Sequence, residues 1–180
     1  MGLPNVLAFS ITMYVLGSMH PVFGHTPCST CTCTPVEEVN CRCDCSRRCN
    51  TQEIGFLVRL NSNLMNRPKG SDVIYDAVIT NDGNGYNPST GIFTAPVQGL
   101  YSFSWTTTTQ ANKCFFTYLA VNGNMIARNH AGKDNVNLSA SQTVVAHLKT
   151  HDKVNIKVQD NYFADLMYGE GWSTFSGFRI

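Results

Sequence analysis

Seven cysteines crowd into "CSTCTCTPVEEVNCRCDCSRRC": Cys28, Cys31, Cys33, Cys41, Cys43, Cys45 and Cys49. An eighth, Cys114, stands far along the chain. Thiols this dense do one of two things: they oxidise to disulfides, or they hold a soft metal as thiolates. A Cys-x-Cys pair seldom bridges to itself, because neighbouring strand-like cysteines point to opposite faces and the sulfur dihedral near 90° is hard to meet. Disulfide partners therefore come from the other half of the cluster, from Cys114 or from another chain. An odd count of seven invites the last two options. The spacing differs from the two Cys-x2-Cys pairs of a zinc knuckle, and an exported chain meets oxidant before metal. All eight cysteines are thus read as disulfide candidates, with zinc, cadmium or copper(I) binding as the competing reading.

A second group with chemical capacity is "QDNYFADLMYGEGW", residues 159–172. It gathers Asp160, Asp165 and Glu170 with Tyr162, Tyr168 and Trp172. Carboxylates can hold Ca²⁺ through oxygen, and aromatic faces suit sugar rings or protein partners. These six are the ligand-binding candidates; the competing reading is a solvated turn with ordinary charges. Catalytic chemistry has little to stand on. His147 and His151 lie four apart, but in a strand and its turn, where that spacing does not converge on a metal as it would on a helix. No Gly-x-Ser-x-Gly elbow is present, nor a phosphate loop, and the chain reads as a non-enzyme. Asn137-Leu138-Ser139 is a glycosylation sequon, whereas Asn87 is followed by Pro88.

The elements that must position these groups fall into three blocks. Residues 1–24 read as a secretory signal peptide: "VLAFSITMYVLG" is an apolar run too short to span a bilayer, and "VFG" satisfies the small-residue rule before His25. Its leading "MGLPN" has no Lys or Arg, a departure from the usual pattern. Residues 25–52 form the cysteine-rich segment, and residues 53–180 a globular domain. The expected product is secreted and extracellular, with no membrane insertion. Only 14% of the 180 residues are charged and the net charge is +1, so no electrostatic footprint for nucleic acid appears.

From Glu53 onward, runs of period two follow one another. "IGFLVRL" alternates Ile54, Phe56, Val58 and Leu60; "VIYDAVIT" alternates Val73, Tyr75, Ala77 and Ile79. In "GIFTAPVQGLYSFSW" the odd positions carry Phe93, Tyr101, Phe103 and Trp105, while Thr94, Ser102 and Ser104 stand at even ones. "NRPKG", "NDGNG", "VNGN", "HAGKDN" and "YGEG" supply turns between runs. Many short strands with no sustained 3.6-residue period predict an all-β antiparallel sandwich or jelly roll.

These residues also carry a resemblance. "YNPSTGIFTAPVQGLYSFSW" resembles the complement C1q globular head, with its Thr-Gly-x-Phe-x-Ala-Pro followed by Gly-x-Tyr-x-Phe. "VNGNMIA" is similar to that family's Val-Asn-Gly turn. "SQTVVAHLKTHDKVNIKV" is similar to its strands around a Gly-Asp-x-Val hairpin, with His151 in place of the Gly, and "STFSGFRI" to its last strand. The match runs from about Glu53 to Ile180 and extends to secreted invertebrate C1q-domain proteins. It implies a ten-stranded jelly roll of C1q/tumour necrosis factor type, packed as a homotrimer and acting in lectin-like or pattern recognition, as in innate immunity. The alternatives it leaves are a signalling ligand or scaffold for a protein receptor, and metal binding by the cysteine segment. Phe93, Tyr101, Phe103 and Trp105 are expected in the core or at a subunit contact, and the run Thr106 to Thr109 at an exposed edge or loop. No Gly-x-y repeat is present, so the cysteine segment stands where a collagen stalk would.

Overall fold

The computed structural model describes residues 53–132, 134–160 and 164–180, together with the backbone of two short strands nearer the N-terminus. The signal-peptide reading, residues 1–24, lies outside the described residues. The chain divides into two units, residues 1–50 and 51–180. In the first, β1 (Thr32–Pro35) pairs antiparallel with β2 (Cys41–Asp44), and the register sets Cys33 directly opposite Cys43.

The second unit is built from strands throughout. They are β3 (Gly55–Arg59), β4 (Leu64–Met65), β5 (Ala77–Asp82), β6 (Tyr86–Asn87), β7 (Ile92–Thr94) and β8 (Gly99–Thr109). There follow β9 (Phe115–Val121), β10 (Asn124–Ala131), β11 (Leu138–Leu148), β12 (Lys153–Val158), β13 (Leu166–Met167) and β14 (Thr174–Arg179). Ten of them make two five-stranded antiparallel sheets, ordered β11-β8-β14-β3-β5 and β10-β9-β12-β7-β6, while β13 and β4 pair separately. The non-sequential strand order is that of a jelly roll.

Period two does the positioning. On β8 the odd side chains Tyr101, Phe103 and Trp105 turn inward and are fully buried. From the facing sheet come Phe93, Phe115, Leu119, Val154 and Ile156. Phe56 stacks on Tyr86 at 5.0 Å and on Phe93 at 5.1 Å, and meets Phe175 edge-on at 4.9 Å. Such aromatic contacts add roughly 0.5–1.5 kcal/mol per pair beyond area burial. Gly177 lets this cluster close, for a Cβ there would lie 2.8 Å from the Phe56 ring and strike Phe103 as well.

Of the two places expected for the aromatics of β7 and β8, they fill the sandwich core. Two other expectations need correction. Thr107, Thr108 and Thr109 do not lead to an exposed edge; they stay in β8 and are buried. Their hydroxyls are satisfied indoors: Thr109 donates to the Leu166 carbonyl at 2.7 Å, and Thr107 lies 3.3 Å from the Thr117 hydroxyl. Finally, "VIYDAVIT" is not one strand. Val73 and Tyr75 enter the core from an irregular segment, β5 begins at Ala77, and Ile79 is exposed. A register shift opposite Leu57 and Val58 breaks the alternation there.

Candidate functional site

The candidate residues of 159–172 disperse. Asp160 lies near Gly70, where an added Cβ would meet its carboxylate at 2.6 Å. Asp165 turns toward Cys114, accepting from its backbone N–H at 3.3 Å and from its buried thiol at 3.5 Å. Tyr162 lies outside the described residues. Asp160, Asp165 and Glu170 therefore serve three neighbourhoods, and among the described residues no three His, Cys, Asp or Glu side chains group to hold a metal.

Tyr168, Glu170 and Trp172 do come together. They line a shallow concavity of about 140 Å³ with Asn63 and Gly169. Its turn is held from several sides. The Asn63 side-chain carbonyl accepts from the Gly169 N–H at 2.7 Å, and Trp172 N–H donates to the Gly169 carbonyl at 3.0 Å. Tyr168 N–H donates to the Thr108 carbonyl at 2.8 Å, and the Thr108 hydroxyl donates to the Trp172 carbonyl at 2.9 Å. Gly169 sits so close to Ser62 that a Cβ would lie 2.6 Å from its carbonyl oxygen. Glu170 and Gly171 complete the turn at φ of 52° and 87°, the second in the region glycine reaches freely. On this fixed frame Trp172 is 66% exposed. A solvent-facing indole on a fixed backbone, beside a carboxylate and an amide, can stack on an apolar ring face and hydrogen-bond polar groups at its rim. Asn63 escaped the sequence reading because it lies 106 residues from its partner Gly169; only the folded chain joins them.

A second surface is the outward face of the sheet holding β8. Its even hydroxyls form cross-strand pairs: Ser104 with Thr143 at 3.1 Å, Thr106 with Ser141 at 2.8 Å, and Thr108 with Ser139. Toward the other end, Val145 and Phe178 both oppose Ser102 from neighbouring strands, and both are exposed. Leu57 is exposed opposite Ser176. Hydroxyls thus give way to an apolar end. His147 and His151 are exposed, and so is Asn137 of the sequon.

The domain is thus an antiparallel jelly roll with exposed aromatic and apolar surfaces. The family model of the C1q domain matches residues 55–180, and the chain belongs to that family. It is 34% identical over 110 residues to mouse complement C1q tumor necrosis factor-related protein 7, covering 60% of this chain and 38% of that protein. It is 28% identical over 131 residues to heavy metal-binding protein HIP of Mytilus edulis, covering 72% and 62% respectively. The chain thus spans less than two thirds of either relative. Among solved structures, the globular domain of zebrafish complement 1qA superposes with a TM-score of 0.59 at 22% identity, covering 71% of this chain and 97% of that one. Murine APRIL superposes at 0.57 with 12% identity, covering 71% and 99%. These likenesses show the fold.

Proposed function

We propose that the protein is a secreted, non-enzymatic recognition molecule whose C1q domain binds glycans or microbial surfaces in a lectin-like manner. The observation that carries this reading is Trp172, exposed on a turn held by Asn63 and Thr108, with Glu170 and Tyr168 beside it. Fixing the turn before the ligand arrives lowers the ordering cost of binding. Homotrimers, as C1q and tumour necrosis factor-like domains typically form, would triple the sites and raise weak single-site affinities through avidity. The apolar end of the β8 sheet, with Leu57, Val145 and Phe178, is the surface we assign to that contact. A glycan and microbial-surface array tests the reading, with the Trp172→Ala variant run in parallel. Selective glycan signals that fall about tenfold in the variant would support it. Signals absent from every glycan, alongside saturable binding to a cell-surface protein, would instead favour a signalling ligand.

The relative named as heavy metal-binding favours a second reading, with a soft metal held by the cysteine segment. Elemental analysis of protein isolated without reductant separates this reading from disulfides. Zinc, cadmium or copper in stoichiometric amount would establish it.

A further inference from the structure

The outer face of the other sheet carries a groove that the sequence reading passed over. On β9 Phe116 and Tyr118 lie outside the core cluster, Tyr118 with only 8% of its surface exposed. Beside them are the exposed Arg128 and His130 of β10, the half-buried Lys157 of β12 and, just beyond it, the buried Gln159. The register sets them in two rows. In one, His130 opposes Phe116, and their rings stack in parallel at 4.8 Å with 5° between planes. In the other, Tyr118 lies between Arg128 and Lys157. Lys157 is engaged by Asp72 at 2.8 Å, the single ion pair among the described residues. Arg128 is exposed and carries no ion pair there. Two adjoining concavities, of about 240 and 350 Å³, share Arg128 and Gln159 as walls. Phe116 and His130 line the first; Tyr118, Met125 and Asp160 line the second.

Each part has a chemical preference. A guanidinium presents a planar fork of donors suited to a carboxylate. A tyrosine ring presents an apolar face with a polar tip, matching the mixed faces of a pyranose. Asp160 can only accept hydrogen bonds when ionised, while Gln159 both donates and accepts, so together they suit hydroxyl groups and would repel a ligand that is anionic all over. We infer that this groove is a second binding site, distinct from the Trp172 turn, for a saccharide bearing one carboxylate. The carboxylate lies on Arg128, the sugar ring against Tyr118, and the ring hydroxyls on Asp160 and Gln159. Asp160, which does not join the Trp172 turn, has its role here.

The test uses the full chain and two small probes differing only in the acid, methyl β-glucuronide and methyl β-glucoside, with binding followed by ligand-observed NMR. Expected is preferential binding of the glucuronide, reduced about tenfold or more by Arg128→Ala, as befits loss of charge-assisted hydrogen bonds. Arg128→Lys should recover part of it, and the preference for the glucuronide over the glucoside, which rests on Arg128, should persist in Trp172→Ala. Arg128 is exposed, so its variants should melt as the parent does; a melt that falls with binding would be checked with Asp160→Asn, which is expected to weaken the glucoside more than the glucuronide, because it also removes the charge that repels the carboxylate. Equal binding of the two probes, no binding at millimolar probe, or loss in Trp172→Ala with Arg128→Ala intact, would overturn the inference. The last result would leave glycan binding at the Trp172 turn standing.

Discussion

Asn122 and Asp152, thirty residues apart, are joined side chain to side chain, Asn122 Nδ2 donating to Asp152 Oδ1 at 2.9 Å. The other Asp152 oxygen accepts from the Lys149 N–H at 2.7 Å, and Asn122 Oδ1 accepts from the Lys153 N–H at 2.8 Å. Two turns that read as separate motifs in the sequence therefore lock one end of the sandwich as a unit. The bond from Asn122, then that from the Lys149 N–H, holds the Asp152 carboxyl below its ordinary range, with the Lys149 charge adding in the same sense.

A carboxyl so held stabilises the fold above its unfolded pKa, about 3.9, and loses that contribution as pH falls through its lower folded value. Asp152→Asn should therefore narrow the stability gap between pH 7 and strongly acidic solution. Urea unfolding across that range checks it; an unchanged gap would contradict the linkage.

His151, where relatives by resemblance carry glycine, sits at φ 71° while its N–H donates to the Ala95 carbonyl at 2.8 Å. The left-handed conformation costs a side-chain-bearing residue about 1–2 kcal/mol, offset in part by the extra freedom glycine has when unfolded. His151→Gly should stabilise the domain by about 0.5–1 kcal/mol in thermal or urea unfolding.

The Trp105 indole N–H donates to the Thr117 hydroxyl at 3.0 Å in the interior between the sheets. Thr117→Val keeps the shape but leaves that N–H without its acceptor. A buried unsatisfied donor costs about 1–3 kcal/mol, and chemical denaturation should show a loss of that size with little change in m.

Much of this was legible beforehand. The odd positions of "YSFSW" announced the core, because a buried face alternates along a strand whatever its partners are. The threonines after Trp105 defeated the same logic. A hydroxyl row reads as surface until Leu166 and Thr117, from other strands, are seen to satisfy it. The candidate sites fared likewise: Trp172 stood out by type, whereas Asn63, Arg128 and Gln159 gain meaning only from neighbours that sequence spacing does not reveal.

Phe178 is 55% exposed in the single chain. If the proposed trimer packs on this face, Phe178→Glu should leave the fold of the chain nearly intact while shifting sedimentation, in the presence of reductant, from three chains toward one. A charged variant that still sediments as a trimer would place the subunit contact elsewhere.

For the cysteine segment, we propose that Cys33 and Cys43, opposite each other in the backbone register of β1 and β2, form one of its disulfides. Peptide mapping with thiols blocked before denaturation should recover that pair. The pairing leaves an odd number in the segment, so non-reducing electrophoresis should also show covalent oligomers. A monomer band unchanged by reductant would count against them.

The place of β14 has a consequence for biosynthesis. The last strand of the chain lies between β8 and β3, pairing with both. Until the ribosome has released residues 174–179, the two halves of that sheet have no strand to join them, and each presents an open edge. The sheet therefore closes only after every other strand of the domain has emerged. Loss of residues 174–179 would remove the middle of a sheet rather than trim an edge.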